Sequence, residues 1–404
     1  GDEAAAQIFG ESGDKPLTKM GSYNGTGGHN DINIGFEPQW ILIKRFDANE
    51  TEHWFIFDTF RGWSNSRPQA SKFFRMTASA EGDESASMSF TTTATGFRWE
   101  SGRSDYNANS GKYLYMAIRR PDNYVAEPET TATNLYHAVV GQSSSAKPDF
   151  LAPFAVDFTF MKKVAATQEW NLSTRATSSG YLQTNNTYAE TASNDDFSFD
   201  YENGWGKAGW STDRQAWMFK RGQGLETVVY KGNDSGNRNI THNLNAVPEM
   251  MWVKNRDSSA SNAHWRVYHK GLNGGTDPAD KYLILNTNQG EQDSAAYWND
   301  TEPTSSVFTV GAHISVNAND NEILAVLFSS VNGISKVGSY TGNGTSTGPV
   351  ISLGFEPRFL LIKNSSSIGN GWAVLDTVRG LGTSSQIRVW LDGDYAQDSG
   401  SNYV

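Results

Sequence analysis

The sequence predicts an all-β fold: a tandem array of β-sandwich, jelly-roll-like units, each of about 90–120 residues. Three observations lead there. The 404 residues include 39 Gly, 16 Tyr, 21 Phe and 13 Trp, which suits aromatic-rich strands joined by many tight turns. Stretches rich in Leu, Glu, Lys and Ala, the helix formers, are almost absent. The chain also repeats itself, and an internal period decides the architecture before any single element does.

Residues 21–25 (GSYNG) return as 338–342 (GSYTG), 35–44 (GFEPQWILIK) as 354–363 (GFEPRFLLIK), and 57–62 (FDTFRG) as 375–380 (LDTVRG). Two fainter copies of the middle block, 156–162 (VDFTFMK) and 248–254 (PEMMWVK), lie between them. The aligned lysines are Lys44, Lys162, Lys254 and Lys363. A tryptophan follows each, Trp54, Trp170, Trp265 and Trp372, and then a basic residue, Arg61, Arg175, Lys270 and Arg379. A last apolar strand closes the unit at 112–118, 214–219 and 322–328. The units are therefore 18–120, 134–222, 226–330 and 334–404, with 1–17 as an N-terminal segment and 121–133 as a linker carrying two prolines.

Within unit one, strands are expected at 20–24, 32–36, 39–46, 53–59, 71–77, 86–92, 96–100 and 111–119. The runs 40–43 and 113–118 are apolar throughout, the pattern of strands buried on both faces. Gly-rich stretches such as 24–28 and 341–344 read as hairpin-type turns. The joints at 221–224 and 331–333 are short, so neighbouring units are expected to pack in a fixed geometry. Because a shared fold shares its core, the four repeated tryptophans are expected to anchor the cores of their units. Unit four has no counterpart of the closing strand. A sandwich without it exposes an edge, so the slot is expected to be filled by chain beyond Val404 or by a strand from a neighbouring molecule. The opening Gly1-Asp2-Glu3 reads as a chain cut from something longer.

The chemistry of sites is sparse. Net charge is −11, and doublets such as Arg119-Arg120 and Lys162-Lys163 are isolated, which disfavours nucleic acid and anionic membrane as partners. Cysteine is absent, which removes disulfides, thiol nucleophiles and thiolate metal sites and fits folding in a reducing cytoplasm. No apolar run approaches the ~20 residues that span a bilayer. His264 and His269, five apart, fall on opposite faces of a strand and do not share a metal. Residues 47–52 and 317–322 hold oxygen ligands without calcium-loop spacing and read as turns. No nucleophile elbow or phosphate loop occurs. A glycosidase needs two carboxylates at a fixed separation. Asp58 and Asp376 match between units one and four, but Ser173 and Tyr268 or His269 replace them elsewhere, so they read as turn caps or partners of Arg61 and Arg379. No catalytic, cofactor-binding or metal-binding residue is assigned. The candidates for glycan contact are aromatics outside the repeat, in polar loops: Trp63, Trp205, Trp210 and Trp298.

The blocks 35–44, 58–62 and 113–117, with 246–254 and 267–275 as another copy, resemble a repeat in long virion proteins of marine tailed bacteriophages, those infecting cyanobacteria and SAR11-type bacteria. The resemblance covers about 18–404. It implies a non-enzymatic structural component, a tail fibre or adhesin or a capsid-surface protein. Its implied partners are other virion proteins, copies of itself and host-surface glycan, and it implies assembly in the host cytoplasm. It brings no catalytic residues. A free-standing array of carbohydrate-binding modules and a glycan depolymerase are the alternatives.

Overall fold

The computed structural model describes residues 16–48, 53–59, 73–76, 90–120, 129, 131–142, 147–177, 180–192, 197–199, 201–206, 212–345, 347–383 and 386–400. Its regular structure is almost all strand, and the α-helices among these residues, Ala295–Trp298 and Ile314–Asn317, are four residues each.

The repeated blocks fold as repeated strands. In unit one the larger sheet runs, all antiparallel, in the order opening strand (Thr18–Asn24), closing strand (Lys112–Arg119), lysine strand (Pro38–Arg45), tryptophan strand (Trp54–Asp58) and a short strand Phe74–Arg75. Unit three has the same order: Leu225–Lys231, Glu322–Phe328, Met250–Asn255, Arg266–His269 and Lys281–Ile284, with Gln292–Asp293 added at the edge. Unit two repeats the first four, Tyr136–Val140, Arg214–Phe219, Phe158–Lys163 and Asn171–Thr174.

A smaller second layer covers one face. In unit one it is Asn30–Asn33, Gly96–Trp99 and Phe90–Thr93; in unit three, Arg238–Thr241 with Val307–Val310; in unit two, short pairs including Phe150–Leu151 with Gly204–Trp205. First strand pairs with last, and second with next-to-last, as in a jelly roll. The tryptophan strand, however, stays hairpin-paired to the lysine strand in one sheet. Where the opening strand ends, the turn glycine serves close approach and not positive φ. A Cβ on Gly25 would lie 2.2 Å from the Ala108 carbonyl, and one on its counterpart Gly232 1.9 Å from that of Ala318.

Strand alternation sorts side chains to two faces. The inward set of unit one, including Ile41, Ile43, Phe55, Phe57, Tyr113 and Ala117, meets Phe90, Phe97 and Trp99 of the second layer. Units two and three have cores of the same origin, around Met161, Met218 and Trp205, and around Val253, Ala325 and Phe308. The opposite faces of these two sheets are buried as well. Phe158, Phe160 and Trp217 of unit two meet Trp252, Val267 and Val326 of unit three and Trp372, Val374 and Val389 of unit four in one cluster. Three units therefore share a hub, where the repeat alone suggests separate sandwiches in a row.

Unit four is one sheet, Phe359–Lys363, Trp372–Asp376, Gln386–Trp390 and Asp398–Gly400. The segment 338–342, which matches the opening strand, is not a strand here, and Tyr340 (52%) and Val350 (97%) are exposed. The cause is local. In unit one the opening strand pairs only with the closing strand, and unit four supplies none among the described residues.

Candidate assembly interface

The hub is built from the lysine–tryptophan hairpin that marks each repeat. Lys363 lies opposite Trp372, as Lys44 lies opposite Trp54. In units two and three the pairs Met161–Asn171 and Val253–Arg266 bring Lys162 to Trp170 and Lys254 to Trp265 one step further on. Each hub indole donates to a neighbouring unit: Trp170 Nε1 to the Trp390 carbonyl of unit four at 2.7 Å, Trp372 Nε1 to the Ile284 carbonyl of unit three at 3.0 Å, and Trp265 Nε1 to the Gln183 carbonyl of unit two at 2.8 Å. The contacts run two to four, four to three and three to two, and so close on themselves. Backbone bonds follow the same circuit: Gln168 N to Asp394 O at 2.8 Å, Glu291 N to Ser365 O at 2.7 Å and Glu190 N to Arg256 O at 2.7 Å.

The lysines are drawn in with the indoles. Lys162 Nζ donates to the Asp394 carbonyl of unit four at 3.0 Å, and Lys254 Nζ to the Thr187 carbonyl of unit two at 3.2 Å and to Asn255 O at 2.7 Å. Loss of water around the ammonium group pulls Lys254 down to about 7 and Lys162 to about 8. Backbone carbonyls of the neighbouring unit are among their partners, so these lysines pin the seams between units.

Unit one is fastened to the hub by charge. Arg221, in the joint after unit two, donates to both oxygens of Glu37 at 3.0 and 2.8 Å and also pairs with Glu226. Arg120 donates to Glu226 at 2.8 Å and lies 3.2 Å from Glu37. Two buried cations thus face two buried anions drawn from units one and three and the joints. Glu37, Glu226 and Arg221 line a polar cavity of about 10 Å³ with Thr92, Val228 and Asn243, space for about one water. The second layer of unit one faces unit three: Asn243 Nδ2 donates to the Ala94 carbonyl and Lys231 pairs with Glu100, both at 3.1 Å.

Two surfaces remain uncovered among the described residues. One is the outer face of the large sheet of unit one. The apolar runs 40–43 and 113–118 are buried on one face only, and on the other Met20 (71%), Leu114 (44%) and Trp54 (38%) are exposed. The second is the edge of unit four at Phe359–Lys363, the outermost strand of its sheet. In the three other units a closing strand occupies that position.

Several sequence expectations are corrected here. Trp54 is no core anchor, and Trp170, Trp265 and Trp372, although buried, fill the shared hub and not the cores of single units. Of the glycan candidates, Trp205 and Trp298 are both fully buried. Trp205 stacks on Phe150 at 5.6 Å and Trp298 sits edge-on to Tyr268 at 6.2 Å. Trp205 lies in a second-layer strand and Trp298 in a four-residue helix, and with their rings buried neither offers a face to a sugar. Trp63 and Trp210 lie outside the described residues, as do Arg61 and most of the linker 121–133. Register places Thr174, in place of Ser173, at the position of Asp58 and Asp376, and of Tyr268 and His269 it places His269 there. Asp376 is structural: it accepts from Trp217 Nε1 at 2.9 Å and Arg379 N at 3.1 Å and pairs with the Arg379 guanidinium. His264 and His269 are held by different partners, Asn286 and the Gly271 N–H. Among the described residues no group of three or more His, Asp and Glu side chains is placed to hold a metal, and no helix is long and apolar enough to cross a membrane. The charge cluster escapes sequence reading. Its one signal is the placing of Arg120, Arg221 and Glu226 beside the unit joints.

A family model described as a domain of unknown function (DUF7483) matches residues 3–121 and 220–402, spanning unit one and units three and four and leaving most of unit two unmatched. A search of curated proteins found no match.

Proposed function

The chain belongs to the DUF7483 family, and we propose that it is a non-enzymatic structural protein of a bacteriophage virion, carried in a tail fibre or on the capsid surface. Its partners in this reading are other virion proteins or copies of itself. The observation that carries the reading is the open fourth unit. Among the described residues no strand flanks its lysine strand where a closing strand lies in the other three units, and a strand there, from further along the chain or from a neighbouring molecule, would supply both backbone hydrogen bonds and apolar side chains. The likeness of the repeat blocks to those of phage virion proteins supports the same role. The rigid hub also suits a part that transmits position.

Two measurements on purified particles test this. Mass spectrometry and antibody labelling should find the chain at a fixed place in tail or capsid, and hydrogen exchange at residues 359–363 should be slower in particles than in the isolated chain. Absence from particles, or turnover of a glycan by the purified chain, would overturn the proposal.

A further inference from the structure

We propose that three copies of this chain associate through unit one, joining the outer faces of their large sheets as units two, three and four join theirs in the hub. The inference stands apart from the virion reading and from the open edge of unit four.

It rests on register. Met116 lies opposite Leu42, as Trp217 lies opposite Phe160 and Val326 opposite Trp252; Trp217 and Val326 are hub residues. Trp54 occupies the position of the three hub tryptophans. The N–H of Met76 bonds the Trp54 carbonyl at 3.1 Å, as those of Leu285 and Leu391 bond Trp265 at 3.2 Å and Trp372 at 2.9 Å. Leu285 and Leu391 are fully buried in the hub, and Met76 is 58% exposed. Arg75 pairs with Phe55 as Ile284 pairs with Arg266 and Trp390 with Ala373. The Arg75 carbonyl therefore stands where the hub indoles find their acceptors. Unit one has these components of the hub contact at the same register, and of them Trp54 and Met76 are exposed.

The occupant follows from the hub itself. An exposed apolar sheet face of this kind marks an interaction surface, and its three siblings each meet two faces of their own type. The head-to-tail contact from tryptophan to the next unit's carbonyl closes after three members in the hub, and a repeated heterologous contact that closes forms a ring. Units two, three and four already fill the hub, so unit one has no place in it. Unit one also meets the hub through its second layer, on the opposite side of the sandwich from the free face. The matching faces are assigned to two further copies of the chain, with Trp54 of each donating to the next copy.

Analytical ultracentrifugation of the purified chain should give three times the 44.4 kDa chain mass. Trp54→Ala and, separately, Leu114→Lys should return the mass to that of one chain with an unchanged far-UV circular dichroism spectrum, since both side chains are exposed in the single chain. A monomeric or dimeric wild-type chain would overturn the proposal, as would a trimer that survives the Trp54→Ala/Leu114→Lys double variant.

Discussion

One residue type at one register has two fates in this molecule. Trp372 is 3% exposed, donates to Ile284 and packs among Val374, Val389 and Trp252, whereas Trp54 is 38% exposed. Deleting a buried aromatic removes its transfer free energy and leaves a cavity, together about 3–5 kcal/mol. Trp372→Ala is therefore expected to lower hub stability by about that amount, read from chemical denaturation. Trp54→Ala in a dilute, single-chain state is expected to cost under about 1 kcal/mol, as exposed positions do. Equal effects of the two substitutions would mean that the hub and the free face had been misassigned. Sequence reading fixes the equivalence of these tryptophans but not their environments. The motif around Trp54 reads the same whether its face is covered by another unit or left open.

Strands were more legible than surfaces. The expected strands of unit one at 20–24, 39–46, 53–59, 96–100 and 111–119 match observed strands within about two residues, because alternation and apolar runs are local signals. Those at 71–77 and 86–92 fall partly outside the described residues. What the sequence does not carry is the second burial of the larger sheets. An apolar run such as 250–253 specifies two covered faces without naming the cover. The fate of 338–342 shows how far one element depends on another. A peptide with the sequence of residues 322–328, added to the chain, should pair at Phe359–Lys363 and slow hydrogen exchange both there and in 338–342. Unchanged exchange in both segments would show that the missing strand is not what keeps the opening segment from forming.

At the scale of the whole molecule, the question is what makes unit one and the hub a single body. Apolar packing holds the hub together, but the cores of unit one and of the hub are separate clusters. The link is the cluster of Glu37, Glu226, Arg120 and Arg221, each with no more than 12% of its side chain exposed. With two anions against two cations the cluster is neutral, which lets it stay buried. Glu37→Ala removes one anion and leaves both guanidinium groups to share Glu226. Breaking a buried ion pair from one side typically costs about 3–5 kcal/mol, because a charge stays desolvated without its partner. That cost falls on the junction and not on either core. Differential scanning calorimetry of Glu37→Ala should therefore resolve a low-temperature transition for unit one, with the hub transition close to its wild-type position. A single transition at the wild-type temperature would mean that the charge cluster does not couple the two bodies and that the backbone joints and contacts such as Lys231–Glu100 set their geometry.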